Sequence, residues 1–227
     1  NTRCLQSVRA VGSDGLAGQD LLSYQIFVRD REKSLEAEQF PTWQQPVNQF
    51  YNFAATVAQL GSGTGAQPFK TPADYDNWRK RAAQVPVLFA QAIANSREGM
   101  KNGVVQPRAL MVKVIPQLDA LIKDKAEDTL FWNPVKTFPA GFSDADKQRL
   151  TAEYKSTIEG QLMPAYRQMR SFINDEYLPA TRATSGLDSL PNGAAWYAFN
   201  ARNSTTTNLT PAQIHQIGLD EVTRIHG

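Results

Sequence analysis

From Leu150 onward, apolar residues recur at Tyr154, Ile158, Leu162, Tyr166, Met169, Ile173 and Tyr177, always three or four positions apart. This spacing draws one stripe along one face and predicts a single long helix. Ser143, with Asp146 three positions later, has the pattern of a helix start. Pro164 predicts a kink and Pro179 an end near Leu178, because proline removes a backbone donor and disfavours helix at the residue before it. A helix of this length is a spine for shorter helices to pack on.

The pattern before the spine predicts those shorter helices. Asp20 to Glu38 reads as amphipathic, with Leu21, Leu22, Tyr24, Ile26, Phe27, Val28 and Leu35 among charges, and Phe40-Pro41-Thr42-Trp43 breaks it. Pro46 to Leu60 reads as a second helix, terminated by Gly61-Ser62-Gly63-Thr64-Gly65. That glycine run follows a helix and lacks a Gly-Lys-Ser/Thr ending, so it is a C-cap and loop rather than a phosphate cradle. Thr71-Pro72-Ala73-Asp74 starts a helix carrying Tyr75, Trp78, Ala82, Val85, Phe89 and Ile93, with a bend expected at Pro86. Gly99 to Gly103 is expected to turn. Pro107 opens a helix through Ile122, kinked at Pro116, and Phe131 to Phe142 reads as a loop.

After the spine the composition changes. Leu190-Pro191-Asn192-Gly193 is a turn. Ala194 to Ala201 is compatible with a short strand or a helical turn, since alanine dilutes the periodicity. Asn203 to Asn208 reads as extended or loop, and Thr210-Pro211-Ala212-Gln213 begins a last helix with a capping box. The expectation is a mainly α fold, a bundle-like array around a long kinked helix, with at most a short β element near 194–207. Residues 1–227 are expected to form a single domain.

Composition narrows the function classes. The 24 basic and 22 acidic residues give a net charge of +2, without a basic patch for nucleic acid. No apolar run reaches the length of a membrane-spanning helix. Cys4 is the sole cysteine, which excludes an internal disulfide or a cysteine zinc cluster. The chain begins at Asn1 without methionine and ends at Gly227 within its last helix, so a longer polypeptide is expected.

Candidate chemistry is sparse. The histidines, His215 and His226, are eleven positions apart, about 16 Å along a helix. One zinc ion cannot join them. There is no Gly-x-Ser-x-Gly elbow and no His-Glu-x-x-His pair. Glu153, Glu159 and Glu176 read as a solvated helix face, and Arg167 and Arg170 as ion-pair partners along the spine. Trp196, Tyr197 and Thr205 to Thr207 form the most unusual stretch, read either as an exposed edge that pairs with an extended peptide or as a buried aromatic strand with a solvated loop.

Several of these pieces together resemble the bacterial DUF885 family, which is similar to gluzincin-type zinc metallopeptidases. They are Asp74-Tyr75 with Trp78 and Arg81, Glu98 to Gly103 with Pro107, and Pro164-Ala165-Tyr166 with Phe172. Glu176-Tyr177-Leu178-Pro179 with Arg182, Leu190 to Gly193, Trp196-Tyr197 and Thr205 to Thr207 continue the pattern. Ile214-His215 with Gly218 to Val222 completes it. The likeness covers the chain from about Asp20 onward.

The resemblance implies the N-terminal, helical part of a longer zinc peptidase, whose metal ligands and general base lie beyond Gly227. It implies no cofactor within this chain, zinc in the full-length protein, a peptide substrate, and the C-terminal half of the same polypeptide as partner. A periplasmic or envelope location is implied as well. By analogy, Trp196, Tyr197, Thr205, Thr206 and His215 are the residues expected to line a substrate cleft, with no catalytic or metal-binding residue in this chain. The alternative expectation is a stand-alone helical module that binds a peptide or protein without catalysis.

Overall fold

The computed structural model describes residues 1–227. Helices α1 (Thr2–Val11) and α2 (Gly18–Ala37) open the chain. Residues 46–52 are irregular where a helix is expected. Pro46 lacks a donor, and the Asn48 side chain accepts from the backbone N–H of Phe50 and Tyr51, which holds a turn in place of a helix. Asn52 then caps α3 (Phe53–Gly61), its side chain accepting from the Ala54 N–H.

Helix α4 (Pro72–Ala82) starts with a full capping box between Thr71 and Asp74. Those contacts, led by the backbone N–H groups of Thr71 and Lys70, pull the Asp74 carboxyl below its usual range. The chain breaks rather than bends before Pro86, and α5 (Val85–Asn102) runs through the expected turn at Gly99 to the left-handed cap Gly103. The helix expected from Pro107 is two pieces, α6 (Arg108–Met111) and α7 (Val114–Leu121), with Pro116 in the first turn of the second. Within the expected loop 131–142, α8 (Asn133–Lys136) forms a short turn.

The spine begins at Ser143, whose hydroxyl accepts from the Asp146 N–H. It comprises α9 (Asp144–Thr157), a π turn at Ile158–Leu162, α10 (Met163–Ser171), a second π turn at Phe172–Tyr177, and α11 (Leu178–Ala180). Each proline orphans the carbonyl four residues earlier, Gly160 for Pro164 and Asp175 for Pro179. Each of these carbonyls lies inside a π turn. The turns also explain the stripe: a four-residue step in an α-helix overshoots one turn by about 40°, and the wider π turns take that drift back. Leu150, Tyr154, Ile158, Leu162, Tyr166, Met169, Ile173 and Tyr177 are therefore all buried. Last come α12 (Gly193–Thr205) and α13 (Pro211–His226). The segment 194–207 holds no β element, and the one β feature is a parallel bridge between Pro107 and Arg182. No helix is long and apolar enough to cross a membrane.

Contacts divide the chain into two units. The unit Thr42–Ser185 contains the spine and the main core. In it, α5 and α7 pack on α10, and α4 packs on α9. Tyr75 donates to the Pro134 carbonyl at 2.9 Å, which ties the 131–142 segment to α4, and Tyr177 accepts from the Gln106 backbone N–H at 3.0 Å, which ties the segment after α5 to the spine. The unit made of Asn1–Pro41 and Gly186–Gly227 has a smaller core of Leu5, Phe40, Leu190, Trp196 and Phe199.

Candidate functional site

The site is built on α12 and the turns at either end of it. Leu187–Ser189 is a single 3-10 turn, closed by the Leu190 N–H donating to the Leu187 carbonyl at 2.9 Å. Asn192 takes a left-handed conformation, φ 56°, and its carbonyl accepts from the Trp196 N–H at 3.0 Å to start α12. Gly193 follows because the 3-10 turn presses against it. A β-carbon there would lie 1.8 Å from the Leu187 carbonyl oxygen, an overlap that backbone cannot relieve by rotating.

Packing then decides which way α12 faces. Trp196 stacks on Phe40 with ring centroids 5.6 Å apart, and Phe199 meets the same ring at 5.2 Å. Arg202 lies over the Phe199 ring and pairs with Glu36 on α2. With that face held inward, Tyr197 is turned outward and is 53% exposed. It lines a pocket of about 380 Å³ with Gly186, Leu187, Asp188, Ala194 and Pro211. The walls are almost wholly apolar, and Asp188 is their only charged residue.

The other residues expected to line a cleft do not border this pocket. Trp196 is buried in the core of its unit. The Thr205 hydroxyl is held by the Ala201 carbonyl at 2.9 Å and by Thr207 at 3.0 Å. Thr206 is the left-handed cap of α12, φ 58°. His215 is exposed on the first half of α13. Leu187, Asp188, Ala194 and Pro211 border the pocket although sequence reasoning did not select them. Their signal was the pair of turn motifs, Leu190 to Gly193 and Thr210-Pro211, which start α12 and α13 beside the pocket.

A second hollow of about 340 Å³, lined by Arg79, Lys80, Ala83, Glu153, Ser156, Thr157 and Gln161, lies beside the spine. Its charges are largely neutralised. Arg79 and Arg149 both pair with Glu153, at 2.7 and 2.9 Å, and Arg149 holds Asp76 through two contacts. That guanidinium is the main reason the Asp76 carboxyl sits below its usual range. Glu176 pairs with Arg97, Glu159 with Lys155 and Arg170 with Asp119 on the spine's solvent face. Arg167 bonds the Lys123 carbonyl at 3.0 Å.

No three His, Cys, Asp or Glu side chains are grouped to hold a metal ion. His215 and His226 are both exposed, the first in the N-terminal half of α13 and the second at its C-terminal end. The residues of this chain do not fit a zinc site.

The sequence profile described as "Bacterial protein of unknown function (DUF885)" matches residues 1–227. The chain belongs to the DUF885 family. A solved protein from Colwellia psychrerythraea, described as a "putative lipoprotein", shares the fold with a TM-score of 0.70 at 24% identity. The match covers 80% of this DUF885 chain and 31% of that one, so the chain spans about a third of the solved protein's length. No protein of curated function matches.

Proposed function

We propose that this chain is the N-terminal, substrate-cleft-forming part of an exported zinc-dependent peptidase, inactive without the rest of that protein. The reading starts from the family membership of the whole chain and adds to it the likeness to gluzincin-type zinc metallopeptidases that the sequence resemblance implies. The share of the Colwellia protein's length that is matched supports a larger whole. Zinc would be held by residues outside this chain, so no step of the chemistry is assigned to residues within it.

What this chain supplies is surface. The pocket beside Tyr197 has the size and apolar lining of a small-ligand site. Tyr197 is the residue that faces substrate in this reading, and Trp196 holds it there through Phe40. Thr205, Thr206 and His215 lie exposed outside the pocket and are available to a substrate extending beyond it. On α13, Ile214, Ile217, Val222 and Ile225 fall within a sector of about 140°, and the last three are exposed. This face is assigned to the C-terminal half of the same polypeptide, consistent with exposed apolar patches marking interaction sites. The description of the Colwellia protein as a lipoprotein supports an envelope location.

A second reading, a peptide-binding module without catalysis, is favoured by the same pocket standing apart from any cluster of catalytic side chains. Assaying the complete protein on mixed peptides, with and without a chelator, separates the two. Chelator-sensitive hydrolysis by the complete protein and none by residues 1–227 is expected. Peptide binding without hydrolysis by the metal-replete complete protein would overturn the peptidase reading.

A further inference from the structure

The pocket at Tyr197 combines three features that point to a ligand class. Leu187, Ala194 and Pro211 give it apolar walls. The exposed Tyr197 presents an aromatic ring, whose face attracts cations. Asp188 supplies one carboxylate, and no ion pair of the chain uses it. By contrast Glu153, the carboxylate bordering the hollow beside the spine, is matched by Arg79 and Arg149.

We propose that this pocket binds an ammonium group carried on an apolar body, the chemistry of a peptide's amino-terminal residue when that residue is leucine or phenylalanine. The side chain fills the space between Leu187, Ala194 and Pro211, and the α-ammonium meets Asp188 and the Tyr197 ring. A carboxylate alone would accept any cation, and apolar walls alone would accept any apolar group. The combination selects for both in one ligand. A volume of about 380 Å³ is ample for one such residue and the peptide bond after it. As a statement about substrate it rests on the peptidase reading; as a statement about binding it concerns these residues alone.

The test is an NMR titration of the 227-residue chain with four compounds: L-leucinamide, L-phenylalaninamide, N-acetyl-leucinamide and Nα-acetyl-lysinamide. The first two are expected to shift Tyr197 and Ala194 signals saturably. N-acetyl-leucinamide, which lacks the charge, is expected to bind roughly tenfold more weakly or worse, the scale of one charge-assisted contact. Nα-acetyl-lysinamide distinguishes a side-chain ammonium from an amino terminus and is expected to bind as weakly. Asp188→Asn should remove the preference for the free amine, and Ala194→Trp should abolish all binding by filling the pocket; both positions are exposed. Equal binding of leucinamide and its acetyl derivative, tighter binding of the lysine compound, or no saturable shift would each overturn the proposal. If the chain binds leucinamide through Asp188 but the complete protein cleaves no peptide, the peptidase reading alone fails. If the complete protein cleaves peptides while leucinamide does not bind, this inference alone fails.

Discussion

Tyr166 donates its phenolic hydrogen to the carbonyl oxygen of Ala54, 2.5 Å away across 112 positions of sequence. The bond joins the middle of the spine to the first turn of α3. The Tyr166 ring also meets Phe89 and Phe131 edge to face, so the hydroxyl lies in an aromatic interior. Tyr166→Phe keeps the ring and deletes the bond, and should lower stability by about 1 kcal/mol, read as a shifted urea midpoint. An unchanged midpoint would mean that the bond contributes nothing.

Alkali should destabilise the unit 42–185. Burial raises the phenols of Tyr75, Tyr154, Tyr166 and Tyr177 above their ordinary value of 10.0. The folded state then keeps protons that the unfolded chain releases, so stability is full below pH 10 and falls as pH rises beyond it. Tyrosinate absorbance of the folded protein should lag that of the chain in denaturant. Coincident titration curves would show that these phenols are not buried in solution.

Two glycines should respond to alanine in opposite directions. A β-carbon at Gly160 meets nothing within 4 Å, and alanine there should stabilise by roughly 0.5–1 kcal/mol. At Gly193 it meets the Leu187 carbonyl at 1.8 Å, so alanine must push the 3-10 turn away from α12. Thermal melts should rise for the first and fall for the second. Similar melts for the two variants would contradict this packing.

Adjacent aromatic residues on α12 should likewise separate. Trp196→Ala removes the partner of Phe40 and should cost about 3–5 kcal/mol. Tyr197→Ala removes an outward ring and should stay within about 0.5 kcal/mol of the parent. Equilibrium unfolding of both variants is the check, and a large cost at Tyr197 would place its ring in the core.

The spine was legible because its apolar stripe is long and capped at Ser143. The π turns were not, since a helix pattern does not state how many residues each turn takes. They follow only once the four-residue steps from Leu150 to Tyr166 are required to stay on one face beside Pro164. The segment 46–52 misled because Val47, Phe50 and Tyr51 imitate helical spacing, while Asn48 spends its side chain on the backbone N–H groups that a helix would use. At 194–205 alanines hid the period, and only Trp196 and Phe199, three apart against Phe40, reveal a helix face. The pocket itself is assembled from residues on separate turns, and that proximity is a property of the fold.

The most direct test of the cleft reading is the kcat/KM of the complete protein for a peptide beginning with leucine, with Tyr197 intact and replaced by alanine. A fall of at least about tenfold, with the melting temperature unchanged, is the predicted result, since a surface used only for substrate affects turnover without affecting folding. Equal kcat/KM for the two proteins would remove this pocket from the path of the substrate.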